Sequence, residues 1–304
     1  MKNEKPVSVK QIACLAMMML LCAAVFSLKV HAEDTVSQED TVSHPKDVTN
    51  VLLVGSDTRE PGEYGNSDAM IMLTINHSAG KIFLVSFMRD LYADIPGHGG
   101  MKLNAAHAIG GGKLLMETIA ENYKVKADNY IETEFAVMAD LIDLLGGVTL
   151  ELTKDEVVVA NDYIKVMCLE QDKDYESNMI IGEGELNLTG LQAVGYARNR
   201  LVGDDYARTE RQRKVLRQML AKVSELDMIE ITSIAVEILP KLHTDISLTD
   251  LISLAAQLPA ASGYTLVTDR IPYDGLYHSE NEILVPDMEE TTEKLLSEIY
   301  EGCR

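Results

Sequence analysis

The sequence predicts a single three-layer α/β/α domain with a mixed central sheet, preceded by one N-terminal transmembrane helix or signal segment. Three observations lead there. Apolar runs of strand length alternate with stretches of helical period from about residue 48 onward. Hydrophobic residues make up 46% of 304 positions, enough to bury a large core. An uncharged, apolar stretch at residues 11–28 stands apart from the rest, flanked by lysines.

That stretch defines the first segment, residues 1–32. Lys2, Lys5 and Lys10 precede it and Lys29 closes it. About 20 apolar residues span a bilayer as a helix, so the run is at the short limit of a span. Basic residues ahead of it favour a cytoplasmic N-terminus and an exported body. Val30-His31-Ala32 resembles a small-residue cleavage site, which leaves a removed signal peptide as the alternative and a secreted product. Residues 33–47 are polar and nearly repeat Glu-Asp-Thr-Val-Ser, the composition of a flexible stalk.

The folded domain is expected over residues 48–304. Val51-Leu52-Leu53-Val54, ending at Gly55, reads as a buried strand, and residues 69–75 and 82–87 as two more joined by a hairpin loop. Residues 104–108 and 113–123 read as helices broken by Gly110-Gly111-Gly112. A strand at 129–134, an amphipathic helix at 135–145 stopped by Gly146-Gly147, and a strand at 148–152 follow. Thr189 is a candidate N-cap for a short helix. Asp205 opens a long helix whose apolar stripe runs through Val215, Leu216, Met219, Leu220 and Val223. The tail adds a helix near 248–258, a strand at 264–267 and a final acidic helix at about 288–300.

Charge narrows the function. The chain carries −21 overall, and the first 32 residues contribute +3, so the body carries −24. Such a body repels nucleic acid, which is bound by clustered Lys and Arg releasing counterions. Against that background Arg198-Asn199-Arg200 and Asp205…Arg208…Arg211-Gln212 concentrate guanidinium groups, whose forked donors match phosphate oxygens. Arg198 and Arg200 would point the same way in an extended segment, and Arg208 and Gln212 share a helix face. Arg211, Arg213, Lys214 and Arg217 read as an ordinary solvated basic face. Asp57 and Arg59 follow the first strand, where ligands sit in α/β sheets, and Asp68 opens the second strand. Arg89 and Asp90 follow the third. Lys102 stands just before a helix that Asn104 is placed to cap. Aspartates beside arginines suggest a hard divalent cation held between carboxylate and phosphate.

Other chemistries lack their motifs. Gly111-Gly112-Lys113-Leu114 has neither the upstream glycine nor the hydroxyl of a P-loop. Ser78-Ala79-Gly80-Lys81 lies in an expected hairpin rather than opening a helix, and H-E-x-x-H and G-x-S-x-G are absent. Cys14 and Cys22 sit in the apolar run as small hydrophobes; Cys168 and Cys303 are open to pairing or to remaining free thiols.

Taken in order, Asn50-Val51-Leu52-Leu53-Val54-Gly55-Ser56-Asp57-Thr58-Arg59, Asn66-Ser67-Asp68, Arg89-Asp90, Lys102-Leu103-Asn104-Ala105-Ala106, Leu144-Leu145-Gly146-Gly147-Val148-Thr149 and Leu188-Thr189-Gly190-Leu191-Gln192-Ala193 running into Tyr196-Ala197-Arg198-Asn199-Arg200 resemble the LytR–CpsA–Psr family of bacterial envelope proteins. Asp205…Arg208…Arg211-Gln212 completes the set, and the resemblance is close from about residue 48 to 226. It implies a membrane-attached phosphotransferase facing outward. Such an enzyme moves a glycopolymer, such as teichoic acid or capsule, from an undecaprenyl-pyrophosphate carrier to peptidoglycan, assisted by Mg2+. By position, Asp57 and Asp68 would hold the metal. Arg59, Arg89, Arg198, Arg200 and Arg208 would clamp the pyrophosphate, with Lys102 and Gln212 nearby. Asp205 would orient the arginines or take the proton of the attacking hydroxyl. The lipid implies an apolar tunnel. The rival readings are a non-catalytic polyprenyl-pyrophosphate binder and a membrane-bound transcriptional attenuator. Asn66 stands where many relatives carry arginine, Ala207 where glycine is common and Met88 where proline is common.

Overall fold

A computed structural model describes residues 45–56, 64–261 and 263–303. The expected N-terminal anchor, nearly all of the stalk, and Asp57 and Arg59 lie outside the described residues.

The apolar run after residue 47 forms β1 (Val48–Ser56), and the predicted hairpin forms β2 (Ser67–Asn76) and β3 (Lys81–Phe87). A short hairpin, β4 (Tyr92–Ile95) and β5 (Gly99–Lys102), then leads into α1 (Asn104–Tyr123). Helix α1 is broken at Gly110 and Gly111, where the sequence placed the interruption. Asn104 is its first residue rather than its cap; Leu103 holds that position without a side-chain bond. β6 (Asn129–Thr133), α2 (Phe135–Leu144) and β7 (Val148–Leu152) follow as expected.

The sequence reading had no element at α3 (Lys154–Glu170) or β8 (Gly184–Leu188). Val157-Val158-Val159 disfavours a helix intrinsically. A capping box between Thr153 and Glu156 starts one nonetheless, and Val157, Ala160, Ile164 and Met167 bury a single face of it. Next come α4 (Gly190–Ala197), with the Thr189 capping box, and α5 (Asp205–Glu225), capped by Asp204. The chain ends with α6 (Met228–Ile238), β9 (His243–Thr244), α7 (Leu248–Ala260), β10 (Thr265–Ile271), the hairpin β11 (Tyr277–Glu280) and β12 (Ile283–Pro286), and α8 (Met288–Ile299).

Six strands make one mixed sheet in the order β10-β3-β2-β1-β6-β9. β1 and β6 pair in parallel, as do β10 and β3, while β2 runs antiparallel to both its neighbours. Strands β1, β3, β6 and β10 therefore all finish at one edge. Their side chains alternate between two apolar faces. Leu52, Val54, Met70, Met72, Phe83 and Val85 pack on α1 and α8. Val51, Ile71, Leu73, Ile75, Ile82 and Leu84 face α5 and α7. A second core joins α2, α3 and α4 to the β7–β8 hairpin, through residues such as Ile142, Val148, Ile164 and Leu191. Buried side chains of this kind contribute about 1.5–3 kcal/mol each. The result is a mixed sheet between helices. Cys168, buried in the second core, and Cys303 are free thiols.

Candidate functional site

The strand edge where β1, β3 and β6 end is also where the predicted polar residues meet. Asp68 is the second residue of β2 and lies at that edge because β2 runs the opposite way. Its Oδ1 accepts a hydrogen bond from Arg200 Nη2 at 2.7 Å and from Arg89 Nη1 at 3.3 Å, with Arg208 Nη1 at 3.8 Å. Three arginines from three parts of the chain thus converge on one carboxylate oxygen. Its Oδ2 engages no side chain among the described residues.

Asp205, at the start of α5, pairs through Oδ1 with Arg208 Nη2 at 2.8 Å and lies 3.9 Å from Arg89 Nε. Its Oδ2 is buried without a partner. Arg208 is only 2% exposed, yet its Nε and Nη1 make no hydrogen bond. Burial lowers its pKa, as do the like charges of Arg200 and Arg89, against the pull of Asp205 and Asp68. Burial also works against the charge of Arg89, but Asp205, Asp90 and Asp68 outweigh it and raise the pKa. Unpaired, buried guanidinium donors cost free energy in the bare protein and suit a strongly charged acceptor.

Arg198 and Arg200 do not share an extended segment. Arg198 caps the C-terminus of α4 in helical conformation and places its guanidinium 4.2 Å above the Phe135 ring and 5.7 Å from that of Tyr163. Arg200 turns toward Asp68. The loop between them is built by Asn199, whose Oδ1 accepts from the backbone N–H groups of Leu201 (3.0 Å) and Val202 (3.1 Å). Lys102 extends to Asp90 at 2.8 Å, and Asp90 also lies 3.4 Å from Arg89 Nε. It therefore supports the cluster from the side. The charge pair after β3 is part of this network and not a solvated surface feature.

Of the basic face expected on α5, Arg211 and Arg213 are buried, and Lys214 and Arg217 are half-buried. Arg211 is 4% exposed and bonds Glu156 at 3.0 Å and the Asn199 carbonyl at 3.1 Å. It anchors the loop that presents Arg200. Arg213 bonds Ser86 Oγ at 3.0 Å and the Asp269 carbonyl at 3.2 Å, bolting α5 to β3 and β10. Arg217 reaches Thr268. These arginines are scaffold because backbone carbonyls and carboxylates occupy their donors. In the sequence only Glu156, the capping-box residue of α3, hints at this role.

Beneath the arginines lies a cavity of about 530 Å³. Asp68, Arg198, Arg200, Arg208 and Gln212 line it where the strands end. Leu73, Ile131, Met138, Leu216, Leu220 and Leu254, among others, line the apolar remainder between the sheet and α2, α5, α6 and α7. Protein interiors hold few voids larger than a water molecule, so a space this large is a ligand-sized pocket. The arrangement is a cationic head on an apolar chamber. It fits an amphiphile with an anionic phosphate group and a hydrocarbon tail.

Comparison with known proteins gives the same direction. The chain matches the profile of the LytR_cpsA_psr family over residues 19–297. It is 31% identical over 227 residues to the Bacillus subtilis (strain 168) polyisoprenyl-teichoic acid–peptidoglycan teichoic acid transferase TagT, covering 73% of this chain and 67% of that one. It is 33% identical over 224 residues to the transferase TagU of Enterococcus faecalis, covering 72% and 68%. A solved structure of TagT bound to LIIa-WTA superposes with a TM-score of 0.67 at 25% identity, covering 90% of this chain and 98% of that one.

Proposed function

Because this chain belongs to the LytR–CpsA–Psr family, we propose that it transfers a teichoic-acid-type glycopolymer from a polyprenyl-pyrophosphate carrier to peptidoglycan, forming a phosphodiester. The observation that carries this reading is Arg208, buried with two unpartnered donors at the head of the apolar cavity. The cavity accepts the isoprenoid tail, and Arg198, Arg200 and Arg208 take the pyrophosphate oxygens. Gln212, one helical turn beyond Arg208, adds a neutral donor on the same face.

The acceptor hydroxyl oxygen attacks the glycan-bearing phosphorus. The bridging P–O bond breaks, and polyprenyl phosphate leaves. Reaction of this kind needs positioning and neutralisation of charge more than a protein nucleophile. Asp205 holds Arg208 through Oδ1, and its carboxylate receives the hydroxyl proton. Arg89 keeps Asp68 and Asp205 in register.

The residues fit Mg2+. Among the described residues no cluster of three metal-binding side chains occurs, but Mg2+ binds through one or two carboxylates, substrate phosphates and water. Asp68 offers its unengaged oxygen, and Asp57 would be the second ligand. When bound, the ion would neutralise charge on the phosphoryl oxygens. Residues 11–28 support a membrane-attached enzyme with its domain on the outer face, beside its lipid-borne donor.

The test uses the purified full-length chain, a synthetic polyprenyl-pyrophosphate glycan, and peptidoglycan oligomers, with Mg2+ or EDTA. Metal-dependent product that Arg198→Ala abolishes is expected. Saturable lipid binding without product for any donor glycan tried would make the protein a carrier-binding protein instead.

A further inference from the structure

Apart from the arginine cluster, the protein holds a second, buried pair of charged groups. His107 on α1 and Glu132 on β6 are 0% and 4% exposed. His107 Nε2 lies at ion-pair distance, 3.1 Å, from Glu132 Oε2, without the alignment of a hydrogen bond. Its Nδ1 donates to the Gly65 carbonyl at 2.7 Å. Glu132 also accepts from the side chain of Ser56. The pair therefore joins the last residue of β1 to the residues just ahead of β2. Gly65 is three residues before Asp68, on which Arg89, Arg200 and Arg208 converge.

Helix α1 is shaped for the same task. Gly111 has φ +65°, and a Cβ there would lie 2.6 Å from the Tyr64 ring. A Cβ on Gly112 would lie 2.3 Å from the Tyr130 ring. The glycine break lets Tyr64 settle on α1, edge-on to His107 with centroids 6.0 Å apart. β1 and β2 lose register between Gly55 and Ser56, so the ladder alone does not fix the start of β2.

Two acceptors face the two ring nitrogens, so the pair holds one proton between them. Burial opposes the charge on His107, but Glu132 and the Gly65 carbonyl outweigh it and raise its pKa. Burial likewise opposes the charge on Glu132, yet the neighbouring His107 and Ser56 lower its pKa. A buried ion pair of this sort contributes little net stability and is better suited to fixing a unique geometry.

We propose that His107 and Glu132 are positioning residues: they clamp the start of β2 and thereby hold Asp68 where the arginines and the phosphate meet. This rests on the transferase reading for its catalytic consequence, but not for its geometry. Misplacing a catalytic group by about 1 Å costs on the order of 10²-fold in rate.

The experiment compares wild-type full-length chain with His107→Leu and Glu132→Gln. Hydrogen exchange is followed at residues 64–68, and donor kcat and KM are measured. Exchange at 64–68 is expected to accelerate about tenfold or more in both variants while α5 is unchanged. kcat is expected to fall about 10- to 100-fold, with donor KM within about threefold, because Arg198 and the apolar chamber are untouched. Glu132→Gln changes a single atom and keeps an acceptor, so it answers the question if His107→Leu does not fold. Unchanged exchange at 64–68 overturns the clamp whatever the activity. Wild-type chain without transfer sinks the transferase reading, and the exchange result then decides the clamp alone.

Discussion

Replacing Arg208 by lysine tests the centre of the site with little disturbance around it. Lysine keeps the positive charge and a long stem, so the ion pair to Asp205, 2.8 Å in the native chain, can re-form. What it loses is the planar fork. Nε and Nη1 of Arg208 are buried and unpartnered, and these are the donors assigned to the pyrophosphate. A hydrogen bond to a charged group is worth roughly 1.5–3 kcal/mol. An ammonium recovers one of the two, so the net loss is about 1.5–3 kcal/mol. That corresponds to a fall in kcat/KM of about 10- to 150-fold. The same two donors make no hydrogen bond in the bare protein and cost free energy there, so the melting temperature should not fall by more than about 2 °C. The assay is transfer from a synthetic polyprenyl-pyrophosphate disaccharide at several donor concentrations, with a melt recorded on the same preparation. If the contact strengthens in the transition state, most of the loss falls on kcat. A kcat/KM within threefold of wild type, at unchanged stability, would refute the assignment of those donors to the phosphate.

Other expectations concern the chamber, the scaffold and the thiols. Leu220→Trp puts an indole into the apolar part of the cavity. Affinity for long polyprenyl donors should drop about tenfold or more while short-chain analogues keep theirs, as read by competition binding. Glu156 should make stability fall in acid. Burial opposes its ionisation, but the Thr153 backbone N–H and Arg211 outweigh this and hold its pKa below the ordinary 4.5. Its contribution is thus complete above that value and lost as pH falls through the lowered native value. Glu156→Gln should cost about 2 kcal/mol in denaturant melts at neutral pH, less than the roughly 3–5 kcal/mol of a fully broken buried pair, since the amide oxygen still accepts from Arg211. That variant's melts should also flatten in acid. Cys168 should resist alkylation until the chain unfolds, because burial raises its thiol pKa, whereas Cys303 should react in the native protein.

Several features were plain in the sequence because they depend on local rules. The three N-terminal strands of the sheet, the glycine break in α1, the Gly146-Gly147 stop and the Thr189 cap each follow from a few neighbouring residues. The ordered motifs also marked out Asp68, Arg89, Arg198, Arg200, Asp205, Arg208 and Gln212. The α3 helix is not among the expected elements, although Thr153 and Glu156 cap it and Val157, Ala160, Ile164 and Met167 carry the helical period; its three successive valines disfavour a helix intrinsically.

What a linear reading cannot reach is which partner each charge finds. Arg208 and Arg211 are three residues apart on one helix, and nothing local separates them. In the fold, Arg211 meets Glu156 and the Asn199 carbonyl and becomes scaffold, while Arg208 keeps two donors open above an apolar chamber. Lys102, expected near the phosphate, pairs with Asp90 beside Arg89. His107 and Glu132 are 25 positions apart and meet only because α1 packs across the sheet beside β6. The sequence by itself pointed to the kind of chemistry, since the ordered arginine and aspartate motifs of an otherwise acidic chain match phosphate oxygens. Tertiary packing decided the roles, because an ionic group acts according to whether its nearest partners are satisfied, and those partners come from distant parts of the chain.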